Sequence, residues 1–115
     1  MKLWRRAAGG VGLCLALPCG SALGDAIDGD WCAADGRHLT IDGPRVTTPA
    51  GKRLEGNYSR HNFDYVVPAP EPAAGQTVFM VLQGETMVHL RIAADRAAAA
   101  QMPSQIWRRC ARPTS

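Results

Sequence analysis

The sequence predicts an all-β fold: a single small antiparallel up-and-down β-barrel, or a strongly curved sheet, closed by one disulfide. Three observations lead to this prediction. Apolar and polar residues alternate in short runs, turn residues recur roughly every eight to twelve positions, and one pair of cysteines stands near the two ends of the predicted domain. Alternation with a period of two is typical of strands that bury one face.

Residues 1–24 have the pattern of a secretory signal peptide. Three basic residues precede an apolar run, and Ala22 and Gly24 would stand at −3 and −1 of the cleavage site. Glycines and a proline interrupt the run, which is too short for a spanning helix of about 20 residues. We therefore expect a signal peptide at 1–24 and one β domain at 25–115, periplasmic or secreted and not membrane-spanning. A retained membrane anchor is the alternative.

The net charge of the chain depends on whether residues 1–24 are removed. The chain has 13 basic and 10 acidic residues, and residues 1–24 hold three of the basic and none of the acidic ones. The predicted mature chain therefore has no net charge, and no nucleic-acid partner is expected despite a pI of about 8.9. The remaining charge is uneven, with a net −4 over residues 25–42 and a net +4 over residues 91–115.

Two cysteines, Cys32 and Cys110, remain after the predicted cleavage. Only one intramolecular pairing is possible, and disulfides persist in exported proteins. The bond would close a loop of about 79 residues, worth about 4.5 kcal/mol in the chain-entropy model. It would also bring the acidic and basic ends together. A zinc site is the alternative, but the close Cys-x-x-Cys spacing of such sites is missing.

The first predicted hairpin contains Leu39 and Ile41, which alternate with polar neighbours. A turn at Asp42-Gly43-Pro44 follows, and Val46 lies on the return strand.

The next two strands are predicted from two further turns. A turn at residues 49–52 leads into one strand, which carries Leu54 and Tyr58. A turn at 59–62 then returns the chain, with Phe63, Tyr65 and Val67 on one face.

The clearest predicted hairpin turns at residues 83–85. One set of alternating apolar residues precedes the turn and a second set follows it: Val78, Met80 and Leu82, then Val88, Leu90 and Ile92. Phe79 and Val81 are apolar as well, so we expect the first of these two strands to be buried on both faces.

Two segments do not have a strand pattern. Residues 68–76 form a Pro-rich connector, for which we expect a stiff, extended spacer, with a recognition loop as the alternative. A turn or two of helix is predicted at 97–100, before Pro103 ends it. Residues 105–110 would form the closing strand.

Gly29-Asp30-Trp31 is similar to the Gly-x-Trp of lipocalins and other calycin-type barrels. In that family the motif lies on the first strand, and an Arg near the last strand packs over the Trp. The resemblance implies that Arg108 or Arg109 takes this role. Small secreted metalloprotease inhibitors of bacteria are similar too, being short barrels with a Gly-x-Trp and one disulfide.

The whole pattern, from "GDWC" at residue 29 to "WRRC" at residue 107, resembles small exported proteins of bacteria. That resemblance implies a shared fold and no particular activity. A simpler physical interpretation of Trp31 and Trp107 is that two large aromatic side chains flank the disulfide and close a small core.

Candidate catalytic groups are few, so we expect no enzyme, no metal and no cofactor. His38 and His89 fall at polar phases of strands and His61 falls in a turn, which predicts that all three are solvated. Ser59 and His61 would face different ways in extended chain, and no third catalytic group is indicated. The N-terminal aspartates lack the residue order of a calcium loop.

The leading functional hypothesis is a non-catalytic exported protein of the bacterial cell envelope that binds another exported protein or a cell-wall component. An inhibitor of an exported hydrolase belongs to this class. We expect the contact on a free N-terminal arm that includes Asp25, Asp28 and Asp30.

Two alternatives remain open. One is a carrier of a small apolar ligand in the barrel mouth, lined by Phe63, Tyr65, Met80 and Leu82. A short chain can instead fill its interior with side chains. The other alternative is a purely structural envelope protein.

Overall fold

The computed structural model of the protein describes residues 26–111, and the predicted signal peptide and Asp25 lie outside the described residues. Nine antiparallel strands and one short helix make up this part of the chain. The elements are β1 (Gly29–Ala33), β2 (His38–Asp42), β3 (Arg45–Thr47), β4 (Arg53–Glu55), β5 (Asn57–Tyr58), β6 (Asn62–Val66), β7 (Thr77–Gln83), β8 (Met87–Ala93), α1 (Arg96–Ala99) and β9 (Gln105–Arg109). The all-β, up-and-down prediction is confirmed.

The strands form a nearly closed barrel in the order β4-β3-β2-β1-β9-β8-β7-β6-β5. Only the β1–β9 pair joins strands that are distant in sequence, and it places Trp31 opposite Arg109 and Ala33 opposite Trp107. The two ends of the order, β4 and β5, are consecutive in the chain. The polypeptide itself therefore closes the barrel where β4 runs into β5.

Gly56 marks that junction and corrects one prediction. The sequence predicts a single strand through Leu54 and Tyr58, but β4 pairs with β3 whereas β5 pairs with β6. The chain crosses at Gly56, where an added Cβ would lie 2.7 Å from Cε1 of Phe63. Because only glycine permits this close approach, the strand bends here and changes its pairing partner.

The core follows the predicted alternation. Side chains that point into the barrel come from every long strand, and one continuous apolar cluster fills the interior. Its members are Ile27, Trp31, Leu39, Ile41, Val46, Phe63, Tyr65, Val67, Val78, Met80, Val88, Leu90 and Trp107.

Helix α1 covers part of the outer face of the sheet. Asp95 caps its first turn by accepting a hydrogen bond from the Ala98 N–H. Ala99 is buried, and the Arg96 guanidinium lies 4.5 Å from the ring centroid of Phe79. The predicted burial of β7 on both faces is therefore confirmed at Phe79, whereas Val81 is only half-buried.

The helix also covers a buried carboxylate. Asp64 projects from the outer face of β6, and its Oδ1 accepts a hydrogen bond of 2.8 Å from Asn57 Nδ2. Its Oδ2 lies 3.4 Å from Nη1 of Arg96, so an ion pair joins α1 to the sheet.

Residues 68–76 form a compact loop, and the prediction of an extended spacer is wrong. The Val67 N–H donates to the Gln76 carbonyl and the Gly75 N–H donates to the Val67 carbonyl, so the two ends of the loop meet. The physical reason is that β6 and β7 are antiparallel neighbours, and the segment between them must return the chain. Glu71 accepts a hydrogen bond of 2.6 Å from the Thr48 hydroxyl, which ties the loop to the β3–β4 turn.

The predicted disulfide is present between Cys32 and Cys110, with Cα atoms 5.0 Å apart and a sequence separation of 78. The Cys110 N–H donates to the Asp30 carbonyl beside it. The bond therefore reinforces the β1–β9 junction covalently.

We expect replacement of both cysteines by serine to lower the free energy of unfolding by about 4 kcal/mol, because the unfolded chain regains its loop entropy. Urea unfolding of residues 25–115, oxidised and as the double variant, measures the difference. Equal midpoints and slopes for the two proteins would contradict this expectation.

Candidate functional site

The two ends of the barrel differ, and one of them is sealed by Arg109. Its guanidinium lies 4.4 Å from the ring centroid of Trp31. It donates three hydrogen bonds to carbonyl groups: from Nε to Glu85 (2.6 Å), from Nη1 to Asp28 (2.8 Å) and from Nη2 to Ala26 (2.8 Å). Of the two arginines that the resemblance offered, Arg109 contacts the Trp, and Arg108 is exposed.

Gly29 makes this arrangement possible. Its φ is 128°, and an added Cβ would lie 2.6 Å from Nη1 of Arg109. A side chain at this position would therefore strain the backbone and displace the guanidinium. The Gly-x-Trp spacing thus has a direct physical account in this chain.

The N-terminal arm is packed, so the expectation of a free arm is wrong for residues 26–28. Ile27 is fully buried and its N–H donates to the Arg60 carbonyl. Trp31 Nε1 donates a 2.8 Å hydrogen bond to the Ile27 carbonyl. The reason is that the core needs an apolar side chain at this end, and Ile27 supplies it. Asp25 lies outside the described residues.

The carboxylates of Asp28 and Asp30 accept hydrogen bonds from other residues of the domain. The Asp28 carboxylate accepts hydrogen bonds from the Gly43 N–H (2.8 Å) and from the Tyr58 hydroxyl, and the latter bond raises the pKa of Tyr58. Asp30 accepts a 2.6 Å bond from the Thr40 hydroxyl on the outer face and lies 3.7 Å from Nε2 of His38. Of these two aspartates, Asp30 is exposed and Asp28 is half-buried.

The opposite end, which we call the mouth, contains an open cavity of about 100 Å³. Its wall is apolar, and its rim is formed by the β1–β2 turn, the β3–β4 turn and the loop at 68–76. The wall residues are Leu39, Val67, Val78, Leu90, Ile92 and Trp107.

The predicted lining of a ligand-carrying mouth is only partly observed. Tyr65 lines the cavity, whereas Phe63 and Met80 are fully buried in the core and Leu82 does not reach the mouth. The register explains this, because Phe63 pairs with Met80 nearer the sealed end and Tyr65 pairs with Val78 nearer the mouth. Alternation identified the inward face of these strands, but not which end of the barrel is open.

Three polar side chains also line or border the cavity. Tyr65 is 4% exposed, and burial raises its pKa to about 12, with the nearby Glu71 charge adding to this effect and that of Arg37 opposing it. The Arg37 guanidinium lies 5.1 Å from the ring centroid of Trp107. Sequence reasoning missed Arg37 and Glu71, because both lie in turns that the fold brings together.

Arg37 is held in place by two neighbours. Its Nε donates to both Asp35 oxygens, at 3.0 and 2.8 Å, and its Nη2 donates to Gln105 Oε1 at 3.0 Å. The hydrogen bond from Arg37 keeps the pKa of Asp35 below its ordinary value.

The three histidines are spread over the surface: His38 and His61 are exposed and His89 is half-buried. Within residues 26–111, no three metal-ligating side chains lie close enough together to hold an ion. No helix in this part of the chain is long and apolar enough to cross a bilayer.

Comparisons of the chain with protein-family models, with curated proteins and with solved structures found no match. The candidate site is therefore defined by geometry: one end of the barrel is sealed by its own chain, and the other end is an open apolar mouth with a polar rim.

We expect Arg109→Lys to lower the free energy of unfolding by about 2 kcal/mol, since a lysine cannot donate to three carbonyls in this fork geometry. Arg108→Lys is the matched control and should change stability by less than about 0.5 kcal/mol. Thermal and urea unfolding measure both, and equal losses in the two variants would refute the assigned role of Arg109.

Ile27→Ala should cost about 2 to 4 kcal/mol, as expected for a large-to-small change at a fully buried site. The control is Ile106→Ala on the outer face, where the side chain is 48% exposed. If the two variants unfold at the same urea concentration, the arm contributes nothing to the core.

Proposed function

We propose that the protein is a non-catalytic, exported interaction protein of the bacterial cell envelope. Its mouth takes one apolar side chain of a partner polypeptide. The observation that carries this proposal is the open apolar cavity of about 100 Å³ at one end of a barrel whose interior contains a continuous apolar cluster.

The size of the cavity favours a side chain over a free apolar ligand. Pockets for drug-sized ligands usually measure roughly 300–1,000 Å³. A cavity of about 150 Å³ accepts benzene. At about 100 Å³ the mouth has room for a group the size of one aliphatic side chain. Deeper in the barrel, Trp31, Phe63 and Met80 fill the space that a longer ligand would need.

The layout of the mouth also resembles a protein-binding hot spot. Such sites combine a desolvated apolar pocket with a polar rim that excludes water. Here the apolar wall includes Val78, Leu90 and Trp107, and the rim carries Arg37 and Glu71.

Export is supported by two separate features. Residues 1–24 have the order of charge, apolar run and small residues typical of a signal peptide. The Cys32–Cys110 bond would persist in an oxidising compartment, where reducing systems do not break it.

The test is a titration of N-acetyl-leucine amide into methyl-labelled protein, followed by NMR. We expect shifts confined to mouth methyl groups such as those of Val78 and Leu90, with a Kd on the order of tens of millimolar, because one buried side chain supplies only about 2 kcal/mol. Ile92→Trp should fill the mouth and abolish the shifts.

Ile106→Trp is the matched control, since the same substitution on the outer face should leave binding unchanged. Shifts spread over the whole surface, or none at all, would contradict the proposal. Tight binding of palmitate in the mouth would instead favour a carrier of apolar ligands.

A further inference from the structure

The two charged side chains that line the cavity, Arg37 and Glu71, differ in their ionic partners. Arg37 is paired with Asp35 through two short contacts, so its positive charge is largely compensated. Glu71 receives only the neutral Thr48 hydroxyl among the described residues. Of the two charged side chains that line the cavity, Arg37 and Glu71, only Glu71 therefore has no ion-pair partner within residues 26–111.

Tyr65 lines the cavity, and both charged side chains affect the pKa of its hydroxyl. The Glu71 charge raises the pKa of Tyr65, and the Arg37 charge opposes this effect to a smaller extent. Within residues 26–111 this hydroxyl makes no hydrogen bond, although its ring is almost entirely buried. It remains able to accept a hydrogen bond from a bound molecule.

The positions of the apolar wall and of the Glu71 carboxylate within the mouth limit which molecules can bind there. The wall is apolar, whereas the Glu71 carboxylate lies in the loop that forms part of the rim. A matching guest places an apolar side chain downward and a cation at the rim. A lysine within a chain does not match, because its ammonium group is at the end of the side chain and would lie deep in the apolar cavity.

We propose that the mouth binds the N-terminal residue of a partner polypeptide, with its apolar side chain in the cavity and its α-ammonium group donating to the Glu71 carboxylate and the Tyr65 hydroxyl. An ammonium group has three donors, and these two acceptors leave one donor for water. This inference rests on the proposed function, because it specifies which residue of the partner enters the mouth.

The experiment compares four probes by NMR titration at low salt: leucine amide, N-acetyl-leucine amide, N-acetyl-leucine and 3-methylbutylamine. The first two share a side chain and differ in the charged amine. We expect leucine amide to bind about tenfold more tightly than its acetylated form, as a partly desolvated ion pair would provide.

Glu71→Gln should reduce this preference to about twofold while leaving the affinity for N-acetyl-leucine amide unchanged. Glu55→Gln, on an exposed part of β4, is the matched control and should keep the full preference. Tyr65→Phe retains the ring and should lower the preference by about threefold. The NMR spectrum of each free variant establishes that it is folded.

The outcomes separate the two proposals. If no probe binds, the proposed function fails. If N-acetyl-leucine amide binds as tightly as leucine amide, or if N-acetyl-leucine binds most tightly, the mouth is an apolar site without amine selection and this inference fails alone. If 3-methylbutylamine binds as tightly as leucine amide, the ligand is a small amine, and the assignment to a polypeptide N-terminus is overturned.

Discussion

The junction between the first and last strands is the constraint on which the rest of the barrel depends. β1 and β9 are the only neighbouring strands in residues 26–111 that are far apart in sequence, so their pairing carries the largest loop-closure cost. Three kinds of interaction meet there: the backbone ladder, the Cys32–Cys110 bond and the Arg109 guanidinium over Trp31. Because the disulfide limits the unfolded chain and Arg109 binds carbonyls of the arm and of the β7–β8 turn, the two devices stabilise the same closure by different means.

Arg109 also explains how the charged ends of the chain meet. The sequence suggests attraction between an acidic N-terminal segment and a basic C-terminal one. In the structure Arg109 binds the backbone carbonyls of Ala26 and Asp28, while the Asp28 carboxylate binds Gly43 and Tyr58. A planar guanidinium can satisfy several carbonyls at a buried turn, whereas an exposed ion pair would contribute little.

Because one end of the barrel is sealed, the candidate site lies at the other end, the mouth. At the sealed end, Trp31 and Arg109 both donate hydrogen bonds to carbonyl groups of the arm. At the mouth, the Tyr65 hydroxyl and the Glu71 carboxylate keep acceptor capacity beside an apolar cavity. This arrangement of an apolar cavity and a polar rim is the basis of our proposal that the mouth captures one group of a partner.

The strand pattern, the inward faces and the disulfide could be predicted from the amino-acid sequence, because alternation, turn residues and a single cysteine pair are local or countable signals. Alternation places Phe63, Tyr65 and Val67 on one face for this reason, and the structure buries all three. The split of a strand at Gly56, the packing of the arm and the positions of Arg37 and Glu71 at the same mouth became apparent from the three-dimensional fold. These features depend on contacts between residues distant in the chain, and periodicity holds no information about which end of a barrel its own chain will seal.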